Sequence, residues 1–128
     1  MTNRDIYTSA LSILAQSSKD GDNQDYEERA PYIIANFLCD VAELDSLARN
    51  ILDLPPRDEY NQVWKPLDSD FPFIDRFASA ASKYLAAMLV LPDDEDLFEK
   101  LYGFYCDCVS RIKEELPSFV ENIVNKYL

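Results

Sequence analysis

Residues 33–51 read IIANFLCDVAELDSLARNI. Ile33, Phe37, Val41, Leu44, Ala48 and Ile51 recur at steps of three and four, and Ile34, Leu38 and Leu47 widen the stripe. That spacing is the period of an α-helix with one apolar face turned to a core. Asp25, Glu27 and Glu28 crowd the turn before it, where the helix dipole favours negative charge. If the helix starts near Asp25, Pro31 lies too deep to be a first-turn proline. A kink there, or a short turn preceding the main helix, is expected.

Toward the N-terminus, Ile6, Ala10, Ile13 and Leu14 share the face of a first helix, with Thr2 or Asn3 placed to accept an orphan N–H at its start. Residues 17–23 form a polar loop. On the other side the helical pattern breaks over residues 53–72, where four of the seven prolines fall (Pro55, Pro56, Pro66, Pro72). This stretch also carries Leu54, Tyr60, Val63, the only tryptophan Trp64, Leu67 and Phe71, too many large apolar side chains for a free tether. Tyr60 to Lys65 is compatible with a short extended segment or half of a hairpin.

A third helix, from about Ile74 to Leu91, is apolar almost all round, as a buried central helix is, and Pro92 ends it. A fourth starts at Asp93-Asp94-Glu95-Asp96 and carries Leu97, Leu101, Phe104, Tyr105, Cys108, Val109 and Ile112 until Pro117 stops or kinks it. Ser118 to Glu121 fits a capping box for a short fifth helix. The expectation is an all-α bundle of about five helices in a single domain, residues 1–128, with a long proline-rich loop between helices two and three.

Composition excludes more chemistry than it suggests. With no histidine, Ser-His and Cys-His nucleophile pairs and histidine metal sites are absent, and two glycines leave little for phosphate-cradling loops. A net charge of −12 is the wrong sign for gripping nucleic acid or an anionic membrane surface. No apolar run approaches the roughly 18–20 residues needed to span a bilayer. Cys39, Cys106 and Cys108 contain no Cys-x-x-Cys pair and read as buried free thiols, in keeping with synthesis in a reducing, intracellular compartment. The acids Asp93–Asp96 lack the glycine of a calcium loop and are accounted for by a helix N-terminus. Asp68 or Asp70 is placed to cap helix three. Among 24 acids no catalytic pair stands out, so no enzyme and no cofactor or metal is expected.

Tyr60, Trp64, Phe71 and Phe73 have two readings. The loop folds back and its rings plug the open end of the bundle, or they form an anchor patch on a neighbouring molecule, since aromatics concentrate in interface cores. In a symmetric assembly both can hold.

The order of features carries a resemblance. A helix led by Tyr26-Glu27-Glu28-Arg29-Ala30 runs through Asn36-Phe37-Leu38 to Glu43-Leu44. A loop with Pro66-Leu67-Asp68-Ser69-Asp70-Phe71-Pro72 follows, then Asp75-Arg76-Phe77-Ala78-Ser79-Ala80-Ala81 and Tyr84-Leu85-Ala86-Ala87-Met88-Leu89. Asp93-Asp94-Glu95-Asp96-Leu97-Phe98 comes next, with Tyr102 and Tyr105 after it. Over roughly residues 1–115 the chain resembles the small helical head–tail connector (adaptor) proteins of tailed bacteriophages and prophages. Pro31 and the segment after Pro117 depart from that pattern. The resemblance implies a non-enzymatic virion structural protein, made in the bacterial host, that forms a homo-oligomeric ring on the portal and meets portal and tail proteins. DNA would pass through the ring without being bound, which a negative lumen would assist. The 53–72 loop is then an arm docking on an adjacent subunit or the portal, with Trp64 as its main anchor and Tyr60, Leu67, Phe71 and Phe73 around it. The alternative from a different class is a small acidic regulator or inhibitor that blocks a basic partner.

Overall fold

A computed structural model describes residues 1–15, 24–57 and 62–127, with side chains for 1–15, 25–57 and 62–116. Four α-helices, α1 (Asn3–Ile13), α2 (Gln24–Ile51), α3 (Ala78–Val90) and α4 (Glu95–Tyr127), make an all-α bundle around one apolar core. α3 touches each of the other three helices. Its alanines Ala80, Ala81, Ala86 and Ala87 are all buried, and their small side chains let neighbours approach from every side. The central helix expected from its all-round apolar pattern is therefore the central helix of the fold.

Two sequence expectations need correction. Of the two expectations at Pro31, the separate leading turn is absent, because a single helix runs from Gln24 to Ile51 with the proline inside. The proline removes one donor and leaves the Glu27 carbonyl without its usual partner, and Glu27 is exposed, where water can serve it. Likewise α4 continues past Pro117 to Tyr127, so the described residues hold four α-helices, with no separate fifth after Pro117. The carbonyl deprived at that point belongs to Lys113, also on an exposed face.

The helix ends follow local chemistry. Thr2 caps α1 in a full capping box: the Asp5 N–H donates to Thr2 Oγ1 at 3.3 Å, and the Thr2 N–H donates to Asp5 Oδ2 at 2.8 Å. α2 closes in a Schellman turn. The Leu54 N–H reaches the Arg49 carbonyl at 2.8 Å and the Asp53 N–H the Asn50 carbonyl at 3.3 Å, while Asp53 takes the left-handed φ of 56° that aspartate tolerates. Pro55 and Pro56 follow and forbid continuation. Asp94 caps α4, its Oδ1 accepting from the Leu97 N–H at 3.0 Å, which accounts for part of the acidic run without any ion.

Between α2 and α3 the described chain is irregular apart from a one-turn 3-10 helix, Asp75–Phe77. Neither Asp68 nor Asp70 caps that turn or α3. Asp68 pairs with Arg4 at 2.8 Å instead, and residues 67–71 are tied to the N-terminus. The Asn3 and Arg4 amides donate to the Ser69 and Leu67 carbonyls at 2.9 and 2.7 Å, and the Phe71 amide donates to the Met1 carbonyl at 2.9 Å.

Candidate docking surface

The surface is organised by one buried carboxylate. Asp45 lies on the apolar stripe of α2, four residues after Val41 and three before Ala48, and is 0% exposed. A buried charge is tolerated only when paired and fully hydrogen-bonded. Here Oδ2 accepts from Arg49 Nε and from Arg57 Nε, each at 2.9 Å, and Oδ1 accepts from the Ile74 backbone N–H at 3.1 Å. That last bond fixes the residue immediately before the 3-10 turn leading into α3.

The two guanidiniums then spread the tie along the chain. Arg49 donates to the carbonyls of Pro55 (3.1 Å) and Pro72 (2.8 Å), gripping the segment near both ends. Arg57 donates to the Ala42 carbonyl and Ser46 Oγ at 3.0 and 3.2 Å, and its guanidinium carbon stands 4.5 Å from the centroid of the Phe73 ring. From Gln62 the described chain runs back along α2. The Cys39 thiol donates to the Gln62 carbonyl at 3.5 Å, and the Lys65 N–H donates to the Pro31 carbonyl at 3.1 Å. The described residues of 52–74 thus form a strap along the helix rather than a loose arm.

This geometry divides the anchor residues named from sequence. Leu67, Phe71 and Phe73 are buried in the chain's own core, Phe73 to 3% exposure. The Phe73 ring centroid lies 6.1 Å from that of Phe71, 6.0 Å from Phe77 and 6.4 Å from Phe37. From Phe37 the ring contacts pass to Tyr84 and Tyr105, 5.9 and 6.2 Å away. These three side chains are covered by the chain's own core and are not exposed on its surface. Their side chains are apolar and the pinned ends of the strap point them inward. Trp64 takes the other course at 47% exposure, beside Val63 at 75%. Tyr60 lies outside the described residues.

The Lys65–Pro31 bond joins a second exposed ring to this pair. Trp64 precedes Lys65 and Tyr32 follows Pro31, so each aromatic stands one residue from the same hydrogen bond, and Tyr32 is 55% exposed. Tyr32 also lines an apolar groove of about 230 Å³ with Ile33, Met88, Leu91 and Pro92. Arg29 bounds that groove and caps the C-terminus of α3, donating to the Met88 and Leu89 carbonyls at 2.9 and 3.2 Å. Exposed apolar side chains gathered in one region are the kind of surface that marks a contact site.

Elsewhere burial pushes the Tyr84 and Tyr105 phenols up, with the Asp40 carboxylate adding to both shifts. The cysteines are free but not fully buried: Cys39 and Cys106 are exposed, and Cys108, on the α4 stripe, is half-buried against the core. Among the described residues no group of three metal-ligating side chains comes together, and no helix is long and apolar enough to cross a membrane.

Sequence reasoning missed Asp45, Arg49, Arg57, Arg29 and Tyr32. A usable signal existed for the first two: an acid on an apolar stripe with an arginine four residues later is the spacing of a helical ion pair. No family model, curated protein or solved structure matches the chain.

Proposed function

We propose that the chain is a non-enzymatic structural protein that works by contact with other protein subunits, as a head–tail connector of a tailed phage would, in a ring of like copies seated on a portal. The observation that carries this reading is the exposure of Val63 and Trp64 on a strap pinned by the Asp45 cluster. A rigidly held tryptophan is a good anchor because little conformational freedom is left to lose when a partner covers it. Tyr32, exposed one residue from the Pro31 carbonyl that Lys65 bonds, and the apolar groove it lines offer further contact area. The −12 charge fits a ring whose lumen lets DNA slide.

Light scattering coupled to size exclusion, over a range of protein concentrations, tests the reading on the wild-type chain and on Trp64→Ala. A connector self-associates through the apolar strap with weak salt dependence, and Trp64→Ala shifts the mass toward monomer. A chain that stays monomeric and binds a basic protein, with on-rates falling steeply as salt rises, is instead the acidic regulator. Tight retention of DNA on an assembled ring at low salt overturns the lumen reading.

A further inference from the structure

Most of the described arginines serve the fold. Arg4 links Glu27 and Asp68, Arg29 caps α3, and Arg49 and Arg57 share Asp45. Arg76, paired with Glu115, converges with two further cations, Lys83 and Arg111, on one groove. Arg76, Ser79 and Lys83, at spacings of three and four, form one wall of a groove between α3 and α4. Phe104, Asp107 and Arg111, at the same spacings, form the other. The groove encloses about 230 Å³, room for roughly seven or eight waters at ~30 Å³ each.

Its charge is unusual for this chain. Arg76 is held by Glu115 through two bonds, Nε to Oε2 at 3.1 Å and Nη2 to Oε1 at 2.7 Å, which keep its guanidinium fixed and hold the Glu115 carboxyl below the usual carboxylate range. Lys83 donates to Ser79 Oγ at 2.6 Å, and among the described residues neither Lys83 nor Arg111 has a carboxylate within ion-pair distance. Three cations against Asp107 and Glu115 leave the groove one positive, in a molecule of net charge −12. Phe104 stands on the wall 56% exposed. Fork-shaped and point cations beside a hydroxyl are the donor set that recognises phosphate oxygens. An uncovered aromatic face accepts a flat ring by stacking. Asp107 adds a single acceptor for a hydroxyl or amino group.

We propose that this groove binds a phosphate monoester carrying a planar ring, with Lys83, Arg111 and Arg76 on the phosphate and Phe104 on the ring. The site shares no residue with the docking surface, which lies on α2, the strap and the C-terminal end of α3.

Titration of the full chain with adenosine monophosphate, inorganic phosphate and adenosine, followed by calorimetry and amide chemical shifts, tests it. Adenosine monophosphate binds saturably and more tightly than phosphate, and adenosine binds weakest. Lys83→Ala and Arg111→Ala each weaken adenosine monophosphate and phosphate by about tenfold. Phe104→Ala weakens adenosine monophosphate by about tenfold and leaves phosphate unchanged. None of the three substitutions removes an ion pair or a buried side chain, so the fold is kept. The assignment is overturned by an absence of saturable binding of both phosphate probes, or by binding that survives Lys83→Ala and Arg111→Ala together. Equal responses of the two phosphate probes to Phe104→Ala also overturn it. So does binding of a glutamate-rich peptide, through the same residues, by a chain that ignores adenosine monophosphate.

Discussion

Asp45 and Arg57 are twelve residues apart, yet Arg57 Nε lies 2.9 Å from Asp45 Oδ2, and both side chains are almost fully withdrawn from water. Arg49 reaches the same oxygen from the next turn of α2. The pair fixes where the strap leaves the helix, and the Asp45–Ile74 bond fixes where the chain returns.

Removing the shared carboxylate leaves two buried guanidiniums facing each other. Asp45→Ala is expected to cost about 3–5 kcal/mol, the usual penalty for breaking a buried pair. Urea unfolding followed by circular dichroism measures it. Because the cluster is shielded from solvent, raising salt should change the wild-type midpoint little through this pair. A loss below about 1 kcal/mol would show that the strap is held by packing alone.

Trp64 and Phe73 separate contact from core. Phe73→Ala should cost about 3–5 kcal/mol, as truncation of a buried phenylalanine does. Trp64→Ala should cost about 1 kcal/mol or less in the monomer and act on association. Equal losses of monomer stability for the two variants would place the tryptophan in the intramolecular core and remove it as an anchor.

The helices were legible because their information is local. The stripe from Ile33 to Ile51, the Thr2 and Asp94 caps and the alanine-rich α3 follow from spacing and orphan N–H groups, and the structure keeps them except for Leu47, which is exposed. A separate turn before Pro31 and a stop at Pro117 were the misleading alternatives, because water can serve a freed carbonyl on an exposed helix face, and exposure is not written in the local sequence. The division of the loop's apolar residues was hidden for a different reason. Leu67, Phe71 and Phe73 go inward because Arg49 and Asp45, some twenty to thirty residues earlier, grip Pro72 and Ile74. The groove between α3 and α4 needed both helix faces at once. Each shows spacings of three and four, but the 3-10 turn at Asp75–Phe77 is what puts Arg76 in line with Lys83.

Arg29 offers a test of how α3 ends. No basic residue of α3 itself lies in its last turn, and the Met88 and Leu89 carbonyls are served by Arg29 from α2. Arg29→Ala should therefore cost about 1–2 kcal/mol, from two charge-assisted bonds and a favourable dipole contact. Hydrogen exchange should quicken at the Leu91 amide, which closes the helix on Ala87. Unchanged exchange there would mean that water replaces the guanidinium at no cost.

The buried phenols set the alkaline limit. Burial raises the folded values of Tyr84 and Tyr105 above the ordinary tyrosine value of about 10, and Asp40 adds to both shifts. A group whose folded value is raised stabilises the protein fully below its unfolded value, and that contribution is lost as pH rises toward the folded one. Stability should hold up to about pH 10 and then fall as the unfolded chain releases phenolic protons that the folded chain keeps. Tyr105→Phe removes one such proton, so its urea midpoint should fall less steeply than the wild type's above that pH, whatever its stability at neutral pH. Parallel curves for the two proteins would mean that Tyr105 ionises in the folded state as readily as in the unfolded chain. The ring contacts joining Phe37, Tyr84 and Tyr105 would then have to be open to water.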